Sequence, residues 1–246
     1  MNDLIKIKMS DEGKDSWPSF IQDAVNDKNH FSLIVESERK LCDLCDYLYF
    51  RDNVLYFHSN ELGEMSFNFE EILRYHQRQN YALSKEPLAK ALAIKGETKR
   101  IIWDATCGTG KDSLLIHHFG ATLTSFERSP AVFLLLKDAL RRFPVNFNLV
   151  YGDARLIGDS SSRPEVIYYD PMYPTKKKSA LARKEMRIFK EMVGSDPDSL
   201  EFLEWAMTKA TERVVVKRPL EADPIKANPT VSYTGKSTRY DMYKIF

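Results

Sequence analysis

The chain has little cysteine, three residues in 246. That excludes a disulfide-stapled scaffold and suits a reducing compartment. Cys42 and Cys45 form a C-x-x-C pair. A structural zinc site takes four ligands and no second pair follows, so the two read as small core residues and no metal is expected. Long apolar runs are also missing. The longest near the middle, Ala131 to Leu136, is far short of the roughly 20 residues of a membrane span. Met1-Asn2-Asp3-Leu4-Ile5-Lys6 contains no uninterrupted apolar segment of signal-peptide length, so a cytoplasmic protein is expected. An excess of either charge is lacking too, and a net +1 says nothing about polyanionic partners. There is no internal repeat, no low-complexity tract and no Pro/Gly linker.

What is present is an ordinary globular composition, 43% hydrophobic and 29% charged. The length fits one large domain, or a domain with a small companion. The first seventy or so residues look β-rich. Leu4 to Lys8 alternates, Phe31 to Val35 is a short apolar run, and Tyr47 to Phe57 reads as two strands around Arg51-Asp52-Asn53. Met65 to Phe69 alternates again, and a helix is expected around Trp17 to Val25. This predicts a small α+β lobe over residues 1–75, followed by a second domain over 76–246.

From Lys85 onward helical and strand patterns alternate. A helix over Lys85–Ile94 stops at Gly96. Strands are expected at 101–104, 122–126, 148–150, 166–169 and 214–217, with helices at 111–118, 130–140 and 199–209. Val231–Tyr233 and Arg239–Ile245 form a final antiparallel pair. Alternation of this kind predicts an α/β, Rossmann-like fold, a mostly parallel sheet with helices on both faces.

Ile101-Ile102-Trp103-Asp104-Ala105-Thr106-Cys107-Gly108-Thr109-Gly110-Lys111-Asp112 is a strand that turns at an acid, passes through G-x-G and opens a helix. Such a turn offers backbone N–H groups to a nucleotide-like ligand. Ligands of these folds bind beyond the carboxyl ends of the strands, and here those ends carry four acids: Asp104, Glu127, Asp153 and Asp170. Glu127 follows Gly110 by 17 positions and suits the two hydroxyls of a ribose. That feature fits NAD and S-adenosylmethionine alike. The fourth strand separates them, because Val166 to Tyr169 ends in Asp170-Pro171-Met172-Tyr173, a D-P-x-aromatic loop suited to methyl transfer onto a ring amine. Asp170 and the Pro171 carbonyl would accept the amine hydrogens, turning its lone pair toward the methyl; Tyr173 would stack on the base. With an ordinary carboxyl pKa near 4, Asp170 would orient rather than deprotonate.

Together these motifs resemble class I S-adenosylmethionine-dependent methyltransferases, with D-P-M-Y similar to the D-P-P-Y of their amino-methylating branch. The similarity is closest to the ribosomal RNA small subunit methyltransferase J family. Asp104-Ala105-Thr106, Gly108-x-Gly110-Lys111-Asp112, Phe126-Glu127-Arg128-x-Pro130, Tyr169 to Pro174, Lys176 to Leu181, Lys184 to Arg187 and Val214 to Pro219 carry it. The resemblance covers roughly residues 70–246 and is faint before them. It implies methyl transfer to the N2 amine of a guanine in small-subunit (16S) ribosomal RNA. It implies cofactor contacts for Lys111, Asp112, Glu127, Arg128, Asp170 and the Asp153-Ala154 pair, alongside Asp104, Gly108 and Gly110 of the turn. Catalysis would fall to Asp170, Pro171 and Tyr173. Asp153 stands where the family has small hydroxyl residues, and Thr106 where the wider class has glycine. Arg74 to Tyr81 diverges from the family's more glycine-rich version.

The charge that cancels in the total is unevenly placed. Residues 174–190 hold seven bases against one acid, Glu185. The block starts directly after the D-P-M-Y loop, so Lys176, Lys177, Lys178, Arg183, Lys184 and Arg187, joined by Lys217 and Arg218, are expected to meet RNA phosphates. The expected partner is ribosomal RNA or the small ribosomal subunit. Adenine-N6 or protein-amide methylation is the alternative within the same chemistry. An NAD-dependent oxidoreductase is the alternative outside it, although it predicts Gly or Ala where Ser113 stands.

Overall fold

The computed structural model describes residues 6–11, 14–26, 32–37, 46–96, 99–143, 145, 147–157, 163–172, 184–194 and 196–246. Five strands and two helices come first: β1 (Lys6–Ser10), α1 (Ser19–Asn26), β2 (Ser32–Glu36), β3 (Tyr47–Arg51), β4 (Val54–Ser59), β5 (Gly63–Met65) and α2 (Phe69–Arg78). Next are α3 (Pro87–Ala91), β6 (Ile101–Asp104), α4 (Lys111–His118), β7 (Thr122–Glu127), α5 (Pro130–Arg142), β8 (Asn148–Tyr151) and α6 (Ala154–Ile157). The chain ends with β9 (Val166–Tyr169), α7 (Lys184–Val193), α8 (Ser199–Lys209), β10 (Arg213–Pro219), β11 (Val231–Thr234) and β12 (Thr238–Lys244). None of the described helices is long and apolar enough to cross a membrane.

These elements form two compact units. The first joins residues 1–69 to 129–144 and 175–194. Its sheet runs β2-β1-β3-β4-β5, with β1 parallel to β2 and β3 and a meander thereafter. The β3–β4 hairpin turns on Asp52 and Asn53, at φ 49° and 63°. Two consecutive left-handed residues match the right-handed strand twist, and Asp and Asn tolerate them best after Gly. Leu48, Phe50, Leu55 and Phe57 alternate into the core. The fully buried Asp138 of α5 ties that helix to β4 by accepting the Leu55 N–H at 3.1 Å, and it pairs with Arg141 and Arg142 at 2.9 and 2.8 Å. Thus two helices from far along the chain, α5 and α7, belong to the unit built on the N-terminal strands.

The second unit holds residues 70–128, 145–174 and 195–246. Its seven-stranded sheet runs β11-β12-β10-β9-β6-β7-β8. The five strands from β10 to β8 are parallel, and β12 and β11 return antiparallel. This is the expected α/β sheet. On one face Trp103, Phe126, Ile167, Tyr169, Val214 and Val216 pack against Phe202, Leu203 and Ala206 of α8. Strand alternation turns Ile102, Asp104, Tyr168 and Val215 to the opposite face, and α4 packs beside β7. The strand order reverses between β6 and β9, because β7 follows on one side of β6 and β9 on the other. A crevice at that reversal is where such sheets bind ligands.

Some elements differ from the sequence expectation. α3 is shorter, ending at Ala91 before Ala93 takes φ 55°. Part of the Arg74 to Tyr81 stretch is helical, in α2. α6 and α7 were not expected. α6 spans only one turn, and α7 buries Ile188 and Phe189 within a run otherwise crowded with charges, which blurs its period.

Candidate active site

The site begins where β6 ends. Asp104 is fully buried and accepts the Thr106 N–H at 3.1 Å and the Ser113 hydroxyl at 2.5 Å. Ser113 also lies 2.9 Å from Ser125 Oγ on β7 and 3.4 Å from Cys107 Sγ. Burial pushes the Asp104 carboxyl up to about 7 against these hydrogen bonds. The carboxylate therefore braces the turn from within. Gly108 and Gly110 take φ 57° and 77°, and Gly110 caps α4 in the left-handed region that glycine adopts without cost. Ser113, a departure from a dinucleotide fingerprint, is the residue that reaches back to Asp104.

The turn is fastened on two sides. Cys107 donates its N–H to the Phe126 carbonyl at 2.9 Å, and Gly108 donates to Glu127 Oε2 at 2.9 Å. Glu127 ends β7 at 5% exposure, beside Tyr151 of β8, and its carbonyl accepts the Gly152 N–H at 2.8 Å. On the other side Ala105 donates to the Tyr168 carbonyl, and Asp170 donates its N–H to Thr106 Oγ1 at 2.7 Å. Thr106 thereby links the glycine turn to the D-P-M-Y loop. A glycine there has no such hydroxyl.

Asp170 follows β9 with its side chain 32% exposed. Its Oδ2 accepts Lys217 Nζ at 3.0 Å, and the same ammonium donates to Asp112 Oδ2 at 2.7 Å. Asp112, in the first turn of α4, also accepts the Tyr168 hydroxyl at 2.6 Å. Burial raises the Asp170 carboxyl to about 6 against the opposing charge of Lys217, with Asp112 and Asp196 adding to the rise. The value near 4 expected from sequence is thus too low, yet the group stays ionised at neutral pH.

A second cluster spans the ends of β7 and β8 and the start of α8. Arg155 grips Asp153 through its backbone N–H, Nε and Nη2 at 2.6–3.1 Å, and it also reaches Asp198 at 2.5 Å. Burial acts to raise the Asp153 carboxyl, but the Arg155 hydrogen bonds outweigh it and hold the group below its ordinary value. The Arg155 guanidinium lies 5.5 Å from the centroid of Phe202, which stacks on Tyr169 at 4.3 Å. Arg128 pairs with Asp196 and stands 3.8 Å from Asp198. Asp196 Oδ2 accepts the Met172 N–H at 2.6 Å, so the cluster clasps the D-P-M-Y loop.

The structure therefore gathers Asp104, Gly108, Gly110, Lys111, Asp112, Glu127, Arg128, Asp153, Ala154, Asp170 and Pro171 along one sheet edge. It sets two expected RNA contacts apart. Lys217 lies within the acidic centre, and Arg218 is 9% exposed and donates to the Asp223 carbonyl. Tyr173, Lys176, Lys177, Lys178 and Arg183 lie outside the described residues, as do Cys42 and Cys45. Lys184 opens α7, and Arg187 stands exposed on it, in the first unit. Sequence reasoning missed Arg155, Asp196, Asp198 and the function of Ser113. The D-x-D spacing of Asp196 and Asp198 just before a helix was the available signal, readable only as a cap.

The acids at these strand ends fit a ligand whose ribose and adenine offer hydrogen-bond donors and whose sulfonium is cationic. The family described as "Putative SAM-dependent methyltransferase" matches residues 28–245. Ribosomal RNA small subunit methyltransferase J of Thioalkalivibrio sulfidiphilus is 41% identical over 181 residues, 68% of this chain and 71% of that protein. The protein of the same name from Serratia proteamaculans is 39% identical over 195 residues, 74% of this chain and 79% of its own. The crystal structure of a SAM-dependent methyltransferase from Neisseria gonorrhoeae superposes with a TM-score of 0.72 at 28% identity, covering 98% of this chain and 96% of that one. With the glycine turn, the strand-end acids and Asp170-Pro171-Met172 on one sheet edge, the chain belongs to the ribosomal RNA small subunit methyltransferase J family of S-adenosylmethionine-dependent methyltransferases.

Proposed function

We propose that the protein methylates the N2 amine of a guanine in small-subunit ribosomal RNA, acting in the cytoplasm on the RNA or on the small subunit. The observation that carries the reading is the placement of Asp170. It stands at the strand-order reversal, hydrogen-bonded through its backbone to the glycine turn and through its carboxylate to Lys217.

Glu127, Asp112, Arg128, Asp153-Ala154 and the Gly108–Gly110 turn would hold S-adenosylmethionine. When bound, it supplies an electrophilic methyl group on a cationic sulfur. The residues then have to deliver a nitrogen lone pair in line with that methyl, a matter of positioning. A guanine N2 lone pair is delocalised into the ring. The Asp170 carboxylate and the Pro171 carbonyl accept its two hydrogens and turn the lone pair out of the ring plane. The amine loses one proton as the C–N bond forms, and the Asp170 carboxylate, ionised at neutral pH, is placed to receive it. Tyr173 stacks on the extruded base.

Lys176, Lys177, Lys178, Arg183, Lys184 and Arg187 would neutralise phosphates flanking the target nucleotide. Each phosphate contact contributes a salt-dependent increment to binding. Charge reversal at Lys176 to Lys178 should therefore weaken RNA affinity most at low salt. An affinity unaltered at every salt concentration would leave the block as surface.

The direct test offers labelled S-adenosylmethionine with small-subunit RNA, assembled subunits, DNA and protein. Label in the RNA, released as N2-methylguanine on digestion, is the expected result. Label in adenine or in protein alone would redirect the reading to the sister chemistries.

A further inference from the structure

Lys217 was grouped by sequence with the phosphate-binding bases, and its surroundings give it another task. β10 runs parallel to β9 with Val216 beside Tyr169, so the next residue along falls beside Asp170. Strand alternation sends the Lys217 side chain to the face of Val215, where Tyr168 and Asp112 also lie. It is only 23% exposed there, and its ammonium lies between Asp112 and Asp170 at 2.7 and 3.0 Å. Holding an ammonium in such a place is costly unless carboxylates pair with it. Conversely, among the described residues the other charged groups that bear on Asp170 are acidic: Asp112 on α4, Asp196 before α8 and Asp104 on β6. Tyr168 on β9 and Tyr240 on β12, the cross-strand partner of Lys217, stand beside them as neutral phenols.

We infer that Lys217 is a positioning residue for the methyl transfer: bridging Asp112 and Asp170, it keeps the Asp170 carboxylate ionised and presents Oδ1 to the acceptor amine. The inference rests on the reading that Asp170 receives the amine hydrogens. Because Lys217 occupies Oδ2, rotation of the carboxylate is restricted and the other oxygen is left to the substrate. Asp112 in turn fixes the ammonium from the first turn of α4, so one cation couples the helix carrying the glycine turn to the acceptor loop.

The test is the pH profile of single-turnover methyl transfer at saturating RNA and S-adenosylmethionine, between pH 5.5 and 8.5, for wild type, K217M, K217R and D112N. Transfer depends on the ionised carboxylate and is lost as pH falls through its pKa, so the wild-type acid limb should lie near pH 6. In K217M the limb should move alkaline by about one pH unit or more. Activity at pH 6.5 should fall by about threefold or more and recover substantially by pH 8.5. K217R should keep the wild-type limb. D112N removes a like charge from beside Asp170, so its limb should move the opposite way, to lower pH. An acid limb unmoved in K217M, with activity reduced equally at every pH, would overturn the inference and leave Lys217 as scaffold. If K217M does not fold, K217Q decides on the same criterion, an alkaline limb supporting the bridge and an unmoved limb overturning it. A wild-type enzyme that transfers nothing to RNA would instead sink the functional reading itself.

Discussion

Two charge clusters share the carboxyl edge of the same sheet and are built on different plans. Around β9 and β10 one ammonium, Lys217, bridges two carboxylates, one of them Asp170 of the acceptor loop. Around β7, β8 and α8 two guanidiniums, Arg128 and Arg155, serve three carboxylates, and Asp198 lies near both. The first plan makes the charge state of one carboxylate depend on one partner. The second spreads each interaction over a planar fork that makes several hydrogen bonds at once, so loss of one leaves others. A group whose ionisation matters to chemistry gains from a dedicated partner. A group that positions a loop gains from redundancy.

The comparison breaks most plainly at Asp170. Replacing it with Ala should lower the transfer rate by about 10³-fold, within the range of positioned acid–base and electrostatic groups. Affinity for S-adenosylhomocysteine should stay within about threefold, since Asp170 lies on the acceptor side. Calorimetry and single-turnover rates check both, and an unchanged rate would remove Asp170 from the mechanism.

Behind it, S113A should strip the buried Asp104 of a hydroxyl donor and cost about 1–3 kcal/mol in a denaturant melt. Asp104 also sets a sign. Its folded-state pKa, about 7, lies above the ordinary 3.8, so its contribution is fully present at low pH and declines as pH rises from about 4 to 7. The stability difference between D104N and wild type should thus shift in favour of the variant as pH climbs through that window. A difference independent of pH would mean that folding leaves the Asp104 pKa unshifted.

Much of this edge is legible in the chain because it is local. Asp170 shows itself as the acid that ends an apolar run before proline, and Glu127 by its spacing from Gly110. The parallel sheet follows from alternating periods, and the β3–β4 hairpin from Asp52-Asn53. What could not be read depends on register and long separation. Lys217 meets Asp170 across 47 positions, only because β10 lies beside β9 with Val216 level with Tyr169. Arg128 meets Asp196 across 68 positions. Thr106 departs from the glycine pattern in sequence, and only the fold brings its hydroxyl to the Asp170 N–H. The place of α5 and α7 with the N-terminal strands was equally hidden, since α5 is linked through the burial of Asp138 against Leu55 and α7 through its packing beside β5.

The redundant cluster allows a graded test. Asp196 is the member that touches the acceptor loop, through the Met172 N–H, with its side chain 7% exposed. D196A should leave that N–H and Arg128 to find water, costing the transfer rate about tenfold, in line with a charge-assisted hydrogen bond of about 1.5 kcal/mol. R128A should cost folding stability less, about 0–1 kcal/mol, because its side chain is 41% exposed and Asp198 keeps Arg155. Neither variant should move the acid limb of the transfer profile by as much as K217M does, since among the described residues Lys217 is the cation that donates to Asp170. A limb displaced equally by R128A and K217M would show that the two clusters act as one field, and the distinction between a dedicated and a redundant plan would then fall.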